Sequence, residues 1–167
     1  MSRLIRETKK TTQRKIDMEQ TLKDIQKTAQ IWRESERLET LLRRRWQDFI
    51  FHGRRESWYD DFVILKLSEG FSHRYFSRPM RDKTTPISGP VSVETGSKLL
   101  DELKEIEALH VDAEKRLSEL LEVAWIDDEL PLADIALAYG ATPDATHKYI
   151  SRQDWFTTRH ATKKVAG

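Results

Sequence analysis

Eight residues between Leu99 and Ala124 constrain this chain more than any others. Leu99, Leu103, Ile106, His110, Ala113, Leu117, Leu120 and Ala124 follow one another at alternating steps of four and three. That rhythm is the seam of a long α-helix packed lengthwise on a neighbour. The first third of the chain repeats it: Met18, Leu22, Ile25, Ala29 and Trp32 step by four and three. The phase then slips, and Ser35, Leu38, Leu42, Trp46 and Phe49 carry the stripe onto a shifted face. Roughly thirty residues of helix extend about 45 Å, so the two segments match in reach. Six glycines and five prolines are confined to a few places, leaving both stretches uninterrupted. Charged residues make up 34% of the 167 and hydrophobic ones 38%, a thin core for the length. The fold expected is all-α and elongated, built on two long coiled-coil-type helices.

Net charge is only +1, but it is unevenly spread. Residues 1–45 hold 13 Lys and Arg against 7 Asp and Glu, whereas residues 91–130 hold 4 against 12. A basic and an acidic helix of matching reach are expected to pair, within one chain or across a dimer. A parallel homodimer of the basic helix would set like charges across its own seam. The alternative use of Arg43, Arg44, Arg45 and the early lysines is contact with nucleic acid. His110 interrupts the acidic seam with a polar side chain, which an acidic neighbour or water would satisfy.

Between the two seams the pattern is less regular. Trp58, Phe62, Val63, Leu65, Phe71, Tyr75 and Phe76 suffice for a small apolar cluster. Residues 56–69 read as a helix stopped by Gly70, with Ser72 capping another towards Arg78. The run from Phe62 to Leu67 fits a short strand equally well, because a brief apolar run does not discriminate. Residues 77–97, carrying Pro79, Pro86, Gly89, Pro90 and Gly96, read as a long loop or hinge that separates two units. The order expected is a basic amphipathic helix over 1–52, a small helical middle over 53–78 and a loop or hinge over 79–97. An acidic helix over 98–126, a helical pair over 127–160 and a flexible tail over 161–167 complete it.

The helical pair lies in LPLADIALAYGATPDATHKYISR, residues 130–152. Pro131 suits a first helical turn. Leu132, Ile135, Ala136 and Tyr139 make one apolar stripe. Gly140 can take the positive φ that ends one helix in a tight turn. Thr142, Pro143 and Asp144 then start another, as cap, first-turn proline and dipole-complementing carboxylate. That second helix is expected to bury Ala145, Tyr149 and Ile150. These residues resemble the helix-turn-helix of bacterial and phage DNA-binding proteins. Ala136 and Gly140 match the small residue and turn glycine of that family, and Ile135, Ala141 and Thr142 match the positions around them. Thr146 stands where the family carries Val or Ile.

The resemblance implies that the second helix enters the major groove of duplex DNA. Thr142, Asp144, Ala145, His147, Lys148, Ser151 and Arg152 are then the DNA-facing candidates. Arginine suits guanine, and lysine suits guanine or phosphate. Arg159, with Lys163 and Lys164, belongs to a basic tail suited to backbone phosphate. Trp155 and Phe156 are expected to pack on the two short helices. The segment LSEGFSHRYFSR faintly echoes this layout, with His73, Arg74, Arg78 and Arg81 as the basic residues of a second, degenerate reader.

Catalytic chemistry finds no foothold. The histidines at 52, 73, 110, 147 and 160 are dispersed, without zinc-helix spacing. Asp60-Asp61 and Asp127-Asp128-Glu129 read as solvated helix-end charges, and no serine sits in a nucleophile-elbow pattern. No enzyme activity, metal or cofactor is expected. The chain has no cysteine, its start lacks the apolar core of a signal peptide, and no apolar run approaches membrane-spanning length. A cytoplasmic protein with no membrane partner follows. The resemblance implies a sequence-specific binder of double-stranded DNA, a transcription regulator of bacterial or phage type working as a homo-oligomer, dimer favoured. Two alternatives stand beside it. One is a protein resembling phage terminase small subunits, which place the reader first rather than last. The other is a coiled-coil adaptor whose long helices bind a protein partner and which never touches DNA.

Overall fold

Helix is the regular structure throughout the described residues of the computed structural model, 2–77 and 91–160, and no strand occurs among them. Helix α1 runs Ser2–Gly53, α2 Tyr59–Ser68, α3 Val93–Glu122, α4 Leu132–Tyr139 and α5 Pro143–Ser151. A short 3-10 turn, His73–Phe76, follows α2, with Ser72 Oγ accepting from the Arg74 N–H. A π turn, Val123–Asp127, extends α3, and another covers Phe156–His160. The loop expected over 79–97 lies outside the described residues up to Pro90, as does the tail over 161–167. The remainder of that loop is corrected. Ser92 caps α3 through its Oγ, which accepts from the Thr95 N–H at 3.2 Å, and Gly96 lies inside the helix, its N–H bonded to the Ser92 carbonyl at 2.9 Å.

The chain divides into two compact units, one of Met1–Glu34 with Val111–Gly167 and the other of Ser35–His110. In the first, Ile25 and Ala29 of α1 share a core with Leu117, Leu120 and Leu121 of α3, Ala124 of the π turn, and Ile135, Tyr139 and Ile150 of α4 and α5. The acidic seam thus packs as its spacing requires. Helices of eight and nine residues are too short to persist alone in water. Burial of Ile135 and Ile150, both at 0% exposure, contributes roughly 1.5–3 kcal/mol each and ties them to the long helices.

In the unit Ser35–His110, Trp46, Phe49 and Ile50 of α1 pack with Phe62, Phe71, Leu100 and Leu103. Successive contacts run in opposite chain directions. His110 Nδ1 meets Glu39 Oε2 at 2.6 Å, and Arg43 Nη2 lies 3.7 Å from Glu107 Oε1. Phe49 presses against Gly96. Here α1 and α3 pair antiparallel within one chain, and an acidic neighbour, Glu39, meets Nδ1 of the seam histidine. Around Glu107 a polar cluster closes the pair: Arg74 Nη2 and the Tyr75 hydroxyl both donate to Glu107 Oε2 at 2.7 Å. Burial, with the hydrogen bond to Glu107 next, raises the Tyr75 pKa above its ordinary value.

The run from Phe62 to Leu67 takes the helical of its two readings, so Phe62 and Lys66, four apart, share the buried face, while Leu65, expected in the apolar cluster, turns outward at 49% exposure. Lys66 tolerates burial because its ammonium reaches Glu69 Oε2 at 3.0 Å and lies near the faces of Phe62 and Phe71.

Candidate nucleic-acid interface

The two short helices are fixed to each other by the residues between them. Pro131 precedes α4, and Ile135 donates back to its carbonyl. Gly140 ends α4 at φ +87°, with its own N–H and that of Ala141 both returning to the Ala136 carbonyl, at 2.8 and 3.2 Å. Only glycine enters this left-handed region at little cost. Two residues later Thr142 is extended, and its Oγ1 accepts from the Ala145 N–H at 3.2 Å.

The buried face of α5 differs by one position from the sequence expectation. Thr146 and Ile150 are fully enclosed, Tyr149 is half-buried and Ala145 is exposed. Burial follows the four-residue spacing that faces α4, and Ala145 falls outside that stripe. Thr146 accepts full burial because its hydroxyl donates to the Thr142 carbonyl at 2.8 Å. Its methyl is left for packing, with no buried polar group unmet.

A brace from α1 holds the turn. Trp32 lies 5.4 Å from the Tyr149 ring and 6.5 Å from that of Tyr139, and the two tyrosines stack at 5.3 Å. Arg33 sets its guanidinium 4.7 Å above Tyr139. Arg33 Nη1 is also only 3.2 Å from where a Cβ on Gly140 would stand. Burial, followed by the negative charge of Glu114, pushes the Tyr149 pKa up to about 12. Nothing in sequence spacing joins residues 32 and 33 to 139 and 149. The only signal was the tryptophan at the end of the first seam.

Away from the brace, α5 and its flanks present Thr142, Asp144, Ala145, His147, Lys148 and Arg152 to solvent. Asp144 occupies the first turn, complementing the positive end of the helix. Lys148 and Arg152 lie four apart on one face and make no ion pair with any described residue. His147 is exposed, yet its ring is bracketed edge-on by Trp125 at 5.9 Å and Phe156 at 6.0 Å. Ser151 is half-buried, and its Oγ donates to the Lys148 carbonyl at 2.9 Å.

Arg159 is occupied elsewhere. Its two terminal nitrogens donate to Glu122 Oε1 and Asp127 Oδ1, each at 2.7 Å, and these bonds raise its pKa. This tie to Glu122 at the end of α3 and Asp127 in the π turn sets it apart from the α5 residues. Lys163 and Lys164 lie outside the described residues. Trp155 and Phe156 pack on the first core, with Trp155 Nε1 donating to Ser118 Oγ at 3.0 Å. In the segment around Gly70, Arg74 is paired with Glu107 and the 3-10 turn His73–Phe76 has four residues, while Arg78 and Arg81 lie outside the described residues. Among the described residues no three His, Asp or Glu side chains converge on a metal position, and no helix is long and apolar enough to cross a membrane. No protein-family model, curated protein or solved structure matches the chain.

Proposed function

We propose that this chain is a sequence-specific double-stranded DNA-binding protein that reads the major groove with α5. The observation carrying the reading is the division of α5 into two faces. Thr146 and Ile150 are locked into the core, while His147, Lys148 and Arg152 stand in solvent on a helix that follows a glycine turn. A groove-reading helix needs this separation, because base contacts must come from side chains that the fold does not use. Arg152 offers two parallel donors to guanine O6 and N7, Lys148 a point charge for guanine or phosphate, and His147 a ring already oriented by its aromatic neighbours. Regulation of transcription in a bacterium or its phage, by a dimer on a two-fold operator, is the role that fits such a reader.

Selection from random duplexes, followed by titration of the enriched sequence, tests the reading. The parent chain is expected to enrich an inverted repeat. The Lys148→Ala/Arg152→Ala variant should lose roughly 1–3 kcal/mol of discrimination for each base it no longer reads, with its helicity unchanged. Equal preference by parent and double variant, or no enrichment at all, overturns it.

A further inference from the structure

The first turns of α1 carry an unclaimed feature. Residues 2–15 hold six Lys or Arg and one acidic residue. Residues 8–17 are exposed on every side, and burial begins only around Met18 and becomes complete at Ile25. A helical stretch exposed on every side, with only Arg14 and Asp17 near another element through Asp128, normally bridges to something else. Its charges are ordered. Arg6, Lys10 and Arg14 recur every four residues, about 6 Å apart along the axis, with Lys9 on the flank of the same face. All four side chains are exposed. Asp17 closes the stripe at its packed end. The other side offers Thr8, Thr11, Thr12 and Lys15, and Ile16 is the one exposed apolar residue between 8 and 17.

We infer that this helical arm is a second nucleic-acid contact, a sequence-indifferent clamp on the phosphate backbone of duplex DNA. The argument is charge complementarity, together with the single exposed apolar side chain, Ile16, among residues 8–17. A protein partner would want apolar or aromatic anchors, and an anionic membrane surface would want an apolar face to sink below the headgroups. A polyphosphate backbone wants regularly spaced cations and nothing else. The arm also belongs to the unit that carries α4 and α5, and Arg14 lies close enough to Asp128, just before α4, to act on its carboxyl group. The inference extends the DNA-binding reading and supplies what α5 lacks, since two cations on the reader are few for affinity at physiological salt.

The test uses the full chain with Arg6, Lys9, Lys10 and Arg14 all changed to Gln. Glutamine keeps helix propensity, and circular dichroism checks the fold. Binding to a fluorescent duplex of unrelated sequence and to the selected duplex is titrated between about 50 and 200 mM salt. Counterion release predicts that the slope of log K against log salt falls by about 3 to 4, near 0.9 for each phosphate that is no longer neutralised, equally on both duplexes. Arg6→Lys/Arg14→Lys keeps the charges and should match the parent. Lys148→Ala/Arg152→Ala should lose sequence preference but keep the arm's share of the slope. If the parent binds duplexes without preference and the arm variant weakens that binding, the clamp stands and the α5 reading falls. Unchanged slope and affinity in the arm variant overturn the clamp. So does a parent that binds no duplex, or an arm needed only for vesicles of phosphatidylserine and phosphatidylcholine.

Discussion

Replacing Gly96 with alanine sets two effects of opposite sign against each other. Alanine is preferred over glycine inside a helix by about 0.5–1 kcal/mol, and Gly96 lies within α3. The surroundings oppose the change. A Cβ at Gly96 would overlap Phe49 Cζ, lying 2.6 Å from Phe49 Cε1 and 3.1 Å from Phe62 Cζ. Phe49 has no room to retreat. It is fully buried, stacked on Trp46 at 5.4 Å and flanked by Trp58 and Phe62, both at 6.0 Å. Forcing an extra methyl into such a core costs about 1–3 kcal/mol, so the clash outweighs the propensity gain. A net loss near 1–2 kcal/mol would lower the melting temperature by roughly 2–8 °C. Urea and thermal unfolding of the full chain, followed by tryptophan fluorescence and circular dichroism, measure it. Phe49→Leu should open space, so Gly96→Ala should cost less in that background, with a coupling above about 0.5 kcal/mol. A Gly96→Ala chain more stable than the parent refutes the placement of Phe49 against this helix.

The turn and the brace give two further expectations. Gly140→Ala forces a side chain into φ +87° at about 1–2 kcal/mol. Gly140→Asn should cost less, because asparagine tolerates that region and the nearby Arg33 guanidinium is the mobile end of its side chain; equal stability losses for the two in urea unfolding would count against the left-handed turn. At alkaline pH Tyr149 should destabilise the parent. Its pKa of about 12 lies above the ordinary 10.0, so the unfolded chain loses its proton first and stability drains away between those values. Allowing for solvent screening, the loss is roughly 1–2 kcal/mol. Tyr149→Phe should remove that part of the slope, and an identical pH profile for the two chains rules the assignment out.

Much of the fold was legible because the seams are long. Leu103, Ala113, Leu117, Leu120 and Ala124 are all buried, since a heptad repeat sustained over many turns leaves one face for the partner. Leu100 is buried more completely than the expected Leu99, a one-residue rotation that spacing does not resolve. Gly96 was misread because a glycine beside prolines and serines signals a turn locally, whereas its real reason is an aromatic ring forty-seven positions away in sequence. The glycine turn and threonine cap were readable, being encoded by adjacent residues. The α5 stripe was misphased by one at Ala145 and Thr146 because Thr146 looked polar until its hydroxyl found the Thr142 carbonyl. Arg159 escaped for another reason: pairing with Glu122 and Asp127 depends on how the chain folds back.

Trp32 and Arg33 are consecutive on α1, so their side chains leave its axis about 100° apart, and both grip the same bend. Such a hold works like a keyed shaft. It has a phase as well as a position, and α1 cannot turn about its own axis without disengaging one of the two. An added residue between Ile25 and Trp32 would swing both keys away by about 100°, whereas seven would return them to within about 20°. Seven would also carry them about 10 Å along the axis, past the bend they hold, so the length of α1 between Ile25 and Trp32 is fixed in reach as well as in phase.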